Sequence, residues 1–367
     1  MRIALVVERF EPGVGGVENA AWAMAHGLAR AGDEVHVIAR RAAPSRDVCL
    51  RRVQVPAAWR PLRALAFSHA AARAAPRGAF DVVYSLSRTR HQDVYRAGGG
   101  SHADYLAHRY HRAGGGLRRF APRHAVLLSL ERRIFADPTQ LVQCSSEMVR
   151  SQIQRRYHVP VERLAVLPNG VDLETYHPRP RGEGARLREG LGGGAQPVWL
   201  FAGSGFARKG LDTALRALAL AGSACGSLWV AGADRPGRWS RLARRLGVAE
   251  RVAFLGFRRD LPRLYAAVDG LLLPTRYDGF GNVCLEAAAT GIPVVTSAAA
   301  GAAPLVRGAG RVVADPEDAG AFAEALRELR DPRLRAALGA AGRRTAQAHG
   351  WDTHVAALRA LLARARR

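Results

Sequence analysis

The chain has 367 residues, of which 48% are hydrophobic and 23% charged, enough to bury two cores of ordinary size and too apolar for a disordered tail. No apolar run approaches the ~18 residues of a spanning helix, and the opening run 3–7 is too short for the apolar core of a signal peptide. The four cysteines (Cys49, Cys144, Cys225, Cys284) are scattered without disulfide or zinc spacing, so a cytoplasmic protein with no metal site is expected.

In chain order, residues 3–7 predict a buried strand and Gly13, Gly15 and Gly16 a glycine-rich loop. Residues 17–31 follow as a helix, with Ala21, Met24 and Leu28 at helical spacing and Gly32 ending it. Residues 34–39 predict the next strand. Strand, helix, strand is a right-handed parallel unit, so the fold class is α/β with a doubly wound sheet. Residues 81–84 and 141–144 read as later strands of the same sheet.

Pro178, Pro180, Gly182, Gly184 and Gly192 to Gly194 predict a flexible joint. A second series follows: strand 198–202, a loop at Gly203-Ser204-Gly205, helix 211–221, then strands 228–231, 252–255, 270–273 and 293–296. The expected organisation is a first Rossmann-like domain over 1–180, a second over 195–348, and a C-terminal helix within 349–367 that packs back on the first.

The formal net charge is +24, and 54 of the 55 basic residues are arginine. Residues 1–50 balance at 6 basic and 6 acidic, and 136–180 at 5 and 5, whereas 51–135 hold 16 arginines against Asp81, Asp93, Asp104 and Glu131. Between 105 and 135, Tyr105, Tyr110 and Phe120 interleave with Arg109, Arg112, Arg118, Arg119 and Arg123. That mixture suits an anionic membrane surface or a phosphorylated acceptor; solvated arginine from a biased composition is the alternative. No helix-turn-helix, zinc or other nucleic-acid signature is present, so no nucleic-acid partner is expected.

Ligands of open α/β sheets bind at the carboxyl ends of the strands, which directs attention to three loops. Gly15 and Gly16 let backbone amides approach a phosphate at a helix N-terminus. In Gly203-Ser204-Gly205-Phe206-Ala207-Arg208-Lys209-Gly210 the glycine spacing is wrong for a phosphate-loop ATPase and no Ser or Thr follows the lysine. Adjacent Arg208 and Lys209 there suit a direct clamp on a diphosphate. Lys209 is the sole lysine of the chain, and a compact ammonium is not equivalent to a guanidinium fork. Asp278, Gly279, Phe280, Gly281, Asn282, Val283 and Glu286 place two carboxylates eight residues apart around a helix start. Amides at that start face a bound anion along the positive end of the helix dipole. Solvent-facing acids at an ordinary loop-to-helix junction are the bland alternative.

Gly15-Gly16, Leu167-Pro168-Asn169-Gly170-Val171-Asp172, Arg208-Lys209-Gly210 and the acidic segment ending at Glu286, in this order, resemble the retaining glycosyltransferases of family 4. The resemblance covers nearly the whole chain and implies the GT-B architecture, two Rossmann-like doubly wound domains facing across a cleft, with no metal and no cofactor. It implies that Gly16 meets the distal phosphate of a nucleotide-diphosphate sugar, that Arg208 and Lys209 neutralise the leaving diphosphate, that Asp278 positions the sugar, that Glu286 binds the ribose, and that backbone near Phe257 and Arg258 holds the base. The family usually carries Glu where this chain has Asp278. Within the family, Asp93-Val94-Tyr95-Arg96-Ala97 and the Gly203–Gly210 loop are similar to the enzymes that move glucose from UDP-glucose to the lipopolysaccharide core. On that likeness Asp93 lies near the acceptor and the reacting carbon, and the enzyme is peripheral at the inner face of the cytoplasmic membrane; Gly98-Gly99-Gly100 departs from it. A GDP-mannose donor in polysaccharide synthesis, another GT-B enzyme, or a nucleotide-sugar-binding protein without activity are the rival expectations.

Overall fold

The computed structural model describes the backbone of residues 1–55, 60–110, 121–179 and 181–366, and their side chains except at 60, 61, 109, 110, 181 and 183. Among these, Met1–Gly170 with Trp351–Arg367 form one compact unit and Val171–Gly350 another.

The first unit contains β1 (Arg2–Val6), β2 (Arg9–Phe10), β3 (Glu34–Ala39), β4 (Arg41–Ala42), β5 (Cys49–Arg52), β6 (Val82–Ser85), β7 (Val94–Ala97), β8 (Leu141–Cys144) and β9 (Leu164–Val166). Seven of them form a parallel sheet in the order β5-β3-β1-β6-β7-β8-β9, while β2 and β4 pair apart. Central strands are buried on both faces, as parallel sheets flanked by helices require; Ile3, Leu5, Val82 and Tyr84 have no exposed surface. Helix Gly16–Arg30 lays Ala20, Ala21, Met24 and Leu28 inward. Helix Trp351–Arg364 adds Val355, Leu358, Leu361 and Leu362 to the same core. A Cβ on Gly27 would stand 2.5 Å from Val355 Cγ2, so glycine lets these two helices touch.

The second unit holds β10 (Val198–Ala202), β11 (Ser227–Ala231), β12 (Val252–Gly256), β13 (Gly270–Leu273), β14 (Val294–Ser297) and β15 (Gly310–Val313). They form a parallel sheet in the order β12-β11-β10-β13-β14-β15. Chain order reverses between β1 and β6 in the first sheet and between β10 and β13 in the second. These are the switch points at which open sheets leave a crevice beyond the strand ends.

The expected joint at 178–194 is corrected by the structure. The boundary falls at Gly170 and Val171, and Arg181–Gly190 is a helix of the second unit. Gly184 is there for close packing: a Cβ would lie 2.2 Å from Ala266 O. Arg188 closes the segment down, donating to Ala267 O at 3.1 Å, Gln196 O at 2.7 Å and Asp269 Oδ2 at 2.8 Å.

Candidate functional site

In the second unit the loops after β10 and β13, on either side of the switch point, bring Lys209 and Asp278 together. Glycines shape the first loop. Gly210 has φ +78, and a Cβ there would stand 1.9 Å from Pro274 O. Gly203, at φ +125, would place one 3.3 Å from Lys209 Cε. Lys209 therefore folds back over the loop, buried, and its Nζ donates to Asp278 Oδ2. Arg208 Nη1 donates to Tyr277 O at 2.6 Å. Burial alone would raise the Asp278 carboxyl; the charges of Lys209 and Arg208, with hydrogen bonds from Lys209 and the Phe280 amide, hold it below the ordinary carboxylate range.

The Asp278 backbone is pinned as well. Its N–H donates to Ala299 O at 3.1 Å, and its carbonyl accepts from Gly301 at 2.9 Å. Gly281, at φ +89, turns the chain into helix Asn282–Ala289 and, as a glycine at the N-cap, brings no capping side chain of its own. Glu286 lies in its second turn, half-buried. Burial pushes its carboxyl up to about 7 against a Tyr265 hydrogen bond and the Lys209 charge. Tyr265 OH stands 3.3 Å from Glu286 Oε2 and 3.2 Å from Val283 O.

Other loops brace these. Ser204 Oγ accepts from Ala233 N–H at 3.1 Å, and Gly205 N–H donates to Asp234 Oδ2 at 2.5 Å, tying the ends of β10 and β11. Arg276 was not singled out in the sequence, yet it staples the loops: its guanidinium takes Asp212 at 2.8 and 2.7 Å, Glu317 at 3.1 Å and Ala207 O at 2.5 Å. An arginine between β13 and the acidic segment was the available signal, hidden in a chain rich in arginine. Phe257 and Arg258 sit at the same sheet edge beyond β12, two strands from β10. Phe257 is exposed, and Arg258 grips Asp260 through two bonds of 2.8 and 2.6 Å.

In the first unit Gly15 is extended and Gly16 opens its helix, again with no side-chain cap. Glu18 lies over this start, since a Cβ on Gly15 would stand 2.7 Å from Glu18 Oε2. Asp93 is placed at the amino end of β7, the opposite edge from the strand ends that bind ligands. It is buried, and its Oδ2 accepts the Val83 N–H at 2.7 Å. The expectation that Asp93 lies near the reacting carbon is thus corrected: its carboxylate is held within the sheet, beside β6.

The carboxyl end of β7 instead carries a network the sequence reading missed. Glu131, fully buried, accepts from Arg88 Nε at 3.0 Å, Tyr157 OH at 2.5 Å, and the amides of His102 at 2.5 Å and Ala103 at 3.3 Å. His102 Nε2 lies 3.0 Å from His124 Nδ1. Burial, then Arg88, His124 and Arg123, depress His102 to about 3, so it is neutral. Of the arginines expected to meet a membrane or acceptor, Arg123 is exposed on helix Pro122–Ala136. Arg112, Arg118 and Arg119, and the side chain of Arg109, lie outside the described residues.

Two parallel α/β sheets with such loops at their switch points define a doubly wound, Rossmann-like class of architecture. Residues 196–331 match the family described as Glycosyl transferases group 1, and 14–175 that described as Glycosyltransferase Family 4. The chain is 32% identical over 259 residues to the lipopolysaccharide glucosyltransferase WaaG of Escherichia coli (strain K12), covering 68% of this chain and 67% of that protein. It is 32% identical over 258 residues to the D-inositol 3-phosphate glycosyltransferase of Streptomyces avermitilis, covering 64% of this chain and about half (54%) of that one. The crystal structure of WaaG, a glycosyltransferase involved in lipopolysaccharide biosynthesis, matches with a TM-score of 0.84 at 26% identity, over 98% of this chain and 99% of that one. The chain belongs to the group 1, family 4 glycosyltransferases, with the GT-B fold.

Proposed function

We propose that the protein transfers a hexose, glucose from UDP-glucose, onto a lipopolysaccharide-core or other lipid-linked glycan with retained stereochemistry and without a metal. The observation that carries this reading is the Lys209–Asp278 pair at the β10/β13 switch point, beside the start of helix Asn282–Ala289. Before donor binds, each charge neutralises the other. A diphosphate competes for the ammonium, which releases Asp278 to accept sugar hydroxyls.

As the sugar–phosphate bond breaks, charge flows onto the diphosphate. Lys209, Arg208 and the helix N-terminus stabilise it where it develops, the place where catalysis gains most. The acceptor hydroxyl attacks from the same face, and its proton passes to a phosphate oxygen of the leaving group. Glu286 accepts from the ribose diol, an interaction that favours its ionised form. In the second unit Asn282 and Val283 meet the anion, and Gly203, Ser204, Gly279, Phe280 and Gly281 shape the cradle; in the first, Gly15 and Gly16 offer a phosphate the amides of a helix start. Phe257 and Arg258 flank the base.

Purified protein is offered UDP-glucose, UDP-galactose, UDP-N-acetylglucosamine and GDP-mannose separately with a chelator, and slow donor hydrolysis is measured. UDP-glucose alone should turn over. GDP-mannose as sole substrate would replace the donor reading, and binding without turnover of any donor in the presence of lipid-linked acceptors would leave a binding protein. The inositol relative supports a second acceptor reading, a phosphorylated polyol; glucose transfer to inositol phosphate instead of lipopolysaccharide core would select it.

A further inference from the structure

A second charged surface belongs to neither switch point. Helix Gly237–Arg245 follows β11 and buries Trp239 and Ala243. Its other face carries Arg238, Arg241, Arg244 and Arg245, all exposed, and Arg235 is exposed just before it. The four helical arginines line a shallow cavity of about 410 Å³. At 1.5 Å rise per residue the helix is roughly 13 Å long, so four guanidinium groups share a small area.

Several other arginines of the same unit are held by acids, whereas this helix gathers four that are not. Arg188 pairs with Asp269, Arg258 with Asp260, Arg276 with Asp212 and Glu317, and Arg311 with Glu328. No acid occurs from 235 to 249. The preceding Asp234 accepts from the Gly205 amide. Among the described residues, none of these five arginines is in an ion pair. The cluster is also supported from beneath, with the Arg238 guanidinium 4.1 Å from the centre of the Trp239 ring.

We infer that this face docks on an anionic phospholipid bilayer, its guanidinium groups binding headgroup phosphates. Guanidinium forks match phosphate oxygens two at a time. The helix shows no exposed apolar side chain to insert and no exposed aromatic ring on which a nucleic-acid base would stack. The contact is therefore electrostatic, flat and sensitive to salt. The inference stands apart from the proposed donor and acceptor, because none of these residues belongs to the donor loops.

The test is co-sedimentation with phosphatidylcholine vesicles with and without phosphatidylglycerol, at an ionic strength of about 0.1 M where the screening length is about 10 Å. Three full-length variants are compared with the wild type. One replaces Arg238, Arg241, Arg244 and Arg245 by Ala, and a second replaces them by Lys. The third removes the same charge from exposed sites elsewhere in the unit, by Arg216→Ala, Arg307→Ala, Arg333→Ala and Arg344→Ala.

Each arginine near an anionic leaflet multiplies affinity about fivefold, so the alanine variant, short of four, should bind phosphatidylglycerol vesicles roughly 600-fold more weakly. The scattered variant should lose less than about tenfold, as its charges do not reach the surface together. The lysine variant should retain binding, and its donor hydrolysis should match the wild type. Equal losses in the clustered and scattered variants would overturn the inference, as would no wild-type binding to anionic vesicles. So would a clustered variant that keeps vesicle binding but loses a DNA duplex in the same assay.

Discussion

Each unit starts a helix from the ligand edge of its sheet, and the two starts are finished differently. In the first, the helix His102–Tyr110 begins with its His102 and Ala103 amides already taken by the buried carboxylate of Glu131, which Arg88 and Tyr157 also hold. Ser101 and Asp104 complete the start with reciprocal bonds, Ser101 Oγ to Asp104 Oδ2 at 2.5 Å and Asp104 N to Ser101 Oγ at 3.0 Å. In the second, the N-cap of helix Asn282–Ala289 is Gly281, which has no side chain to offer, and the nearby Lys209 is paired with the carboxylate of Asp278. An arrangement complete in itself fixes a fold; one whose lysine is held by a single exchangeable acid is ready for a ligand.

The contrast breaks if the wrong residues control turnover. The largest effect is expected at Lys209→Ala, which should lower turnover about 10²–10³-fold, the usual loss for one preorganised charge-stabilising donor. Saturating-donor kinetics beside a thermal melt would check that turnover falls far more than stability; unchanged turnover would refute the clamp. Glu131→Gln should act the other way. It leaves Arg88 facing a neutral amide and should remove about 3 kcal/mol of stability, in the range for breaking a buried pair, read as a shift in denaturant midpoint with donor affinity kept.

Glu286 sharpens the comparison through pH. Its folded carboxyl sits at about 7, above the ordinary value of 4.5, so the folded state binds more protons between those values and stability falls as pH rises through that window. Donor affinity should move oppositely, strengthening about tenfold from pH 6 to 8 as the carboxylate forms. Titration calorimetry should show this slope in the wild type and none in Glu286→Gln. The smallest functional effect is expected at Asp93→Ala. The unpaired Val83 amide should cost about 1–3 kcal/mol of stability while turnover per folded molecule is kept. A tenfold or greater fall in that turnover would return Asp93 to the reacting centre.

Strands buried on both faces were easy to read, because continuous apolar runs leave few other structures. Residues 198–202, 270–273 and 141–144 and helix 211–221 were expected with the bounds the structure gives. Strand β7 was hidden by Arg96, a buried cation whose Nη2 donates to Asn169 Oδ1 at 2.7 Å; only the tertiary fold supplies that partner. Glycine misled at 182–194, where close packing and flexibility leave the same mark in sequence. Arg208, Lys209, Asp278 and Glu286 were legible as a set through motif order, but the direct Lys209–Asp278 pairing was not, since it joins loops 69 residues apart. The Glu131 network was invisible for the same reason, its partners running from Arg88 to Tyr157.

The helix Trp351–Arg364 has a consequence for how the molecule is made. The second unit is one uninterrupted stretch, Val171–Gly350, whereas the first needs residues from both sides of it. The residues of the later unit are therefore all synthesised before those of the first are complete. The earlier-made sheet must wait, its Met24 and Leu28 face uncovered, until Leu358, Leu361 and Leu362 emerge. Vectorial synthesis usually completes amino-terminal domains first; here the amino-terminal unit is the last to have all its residues.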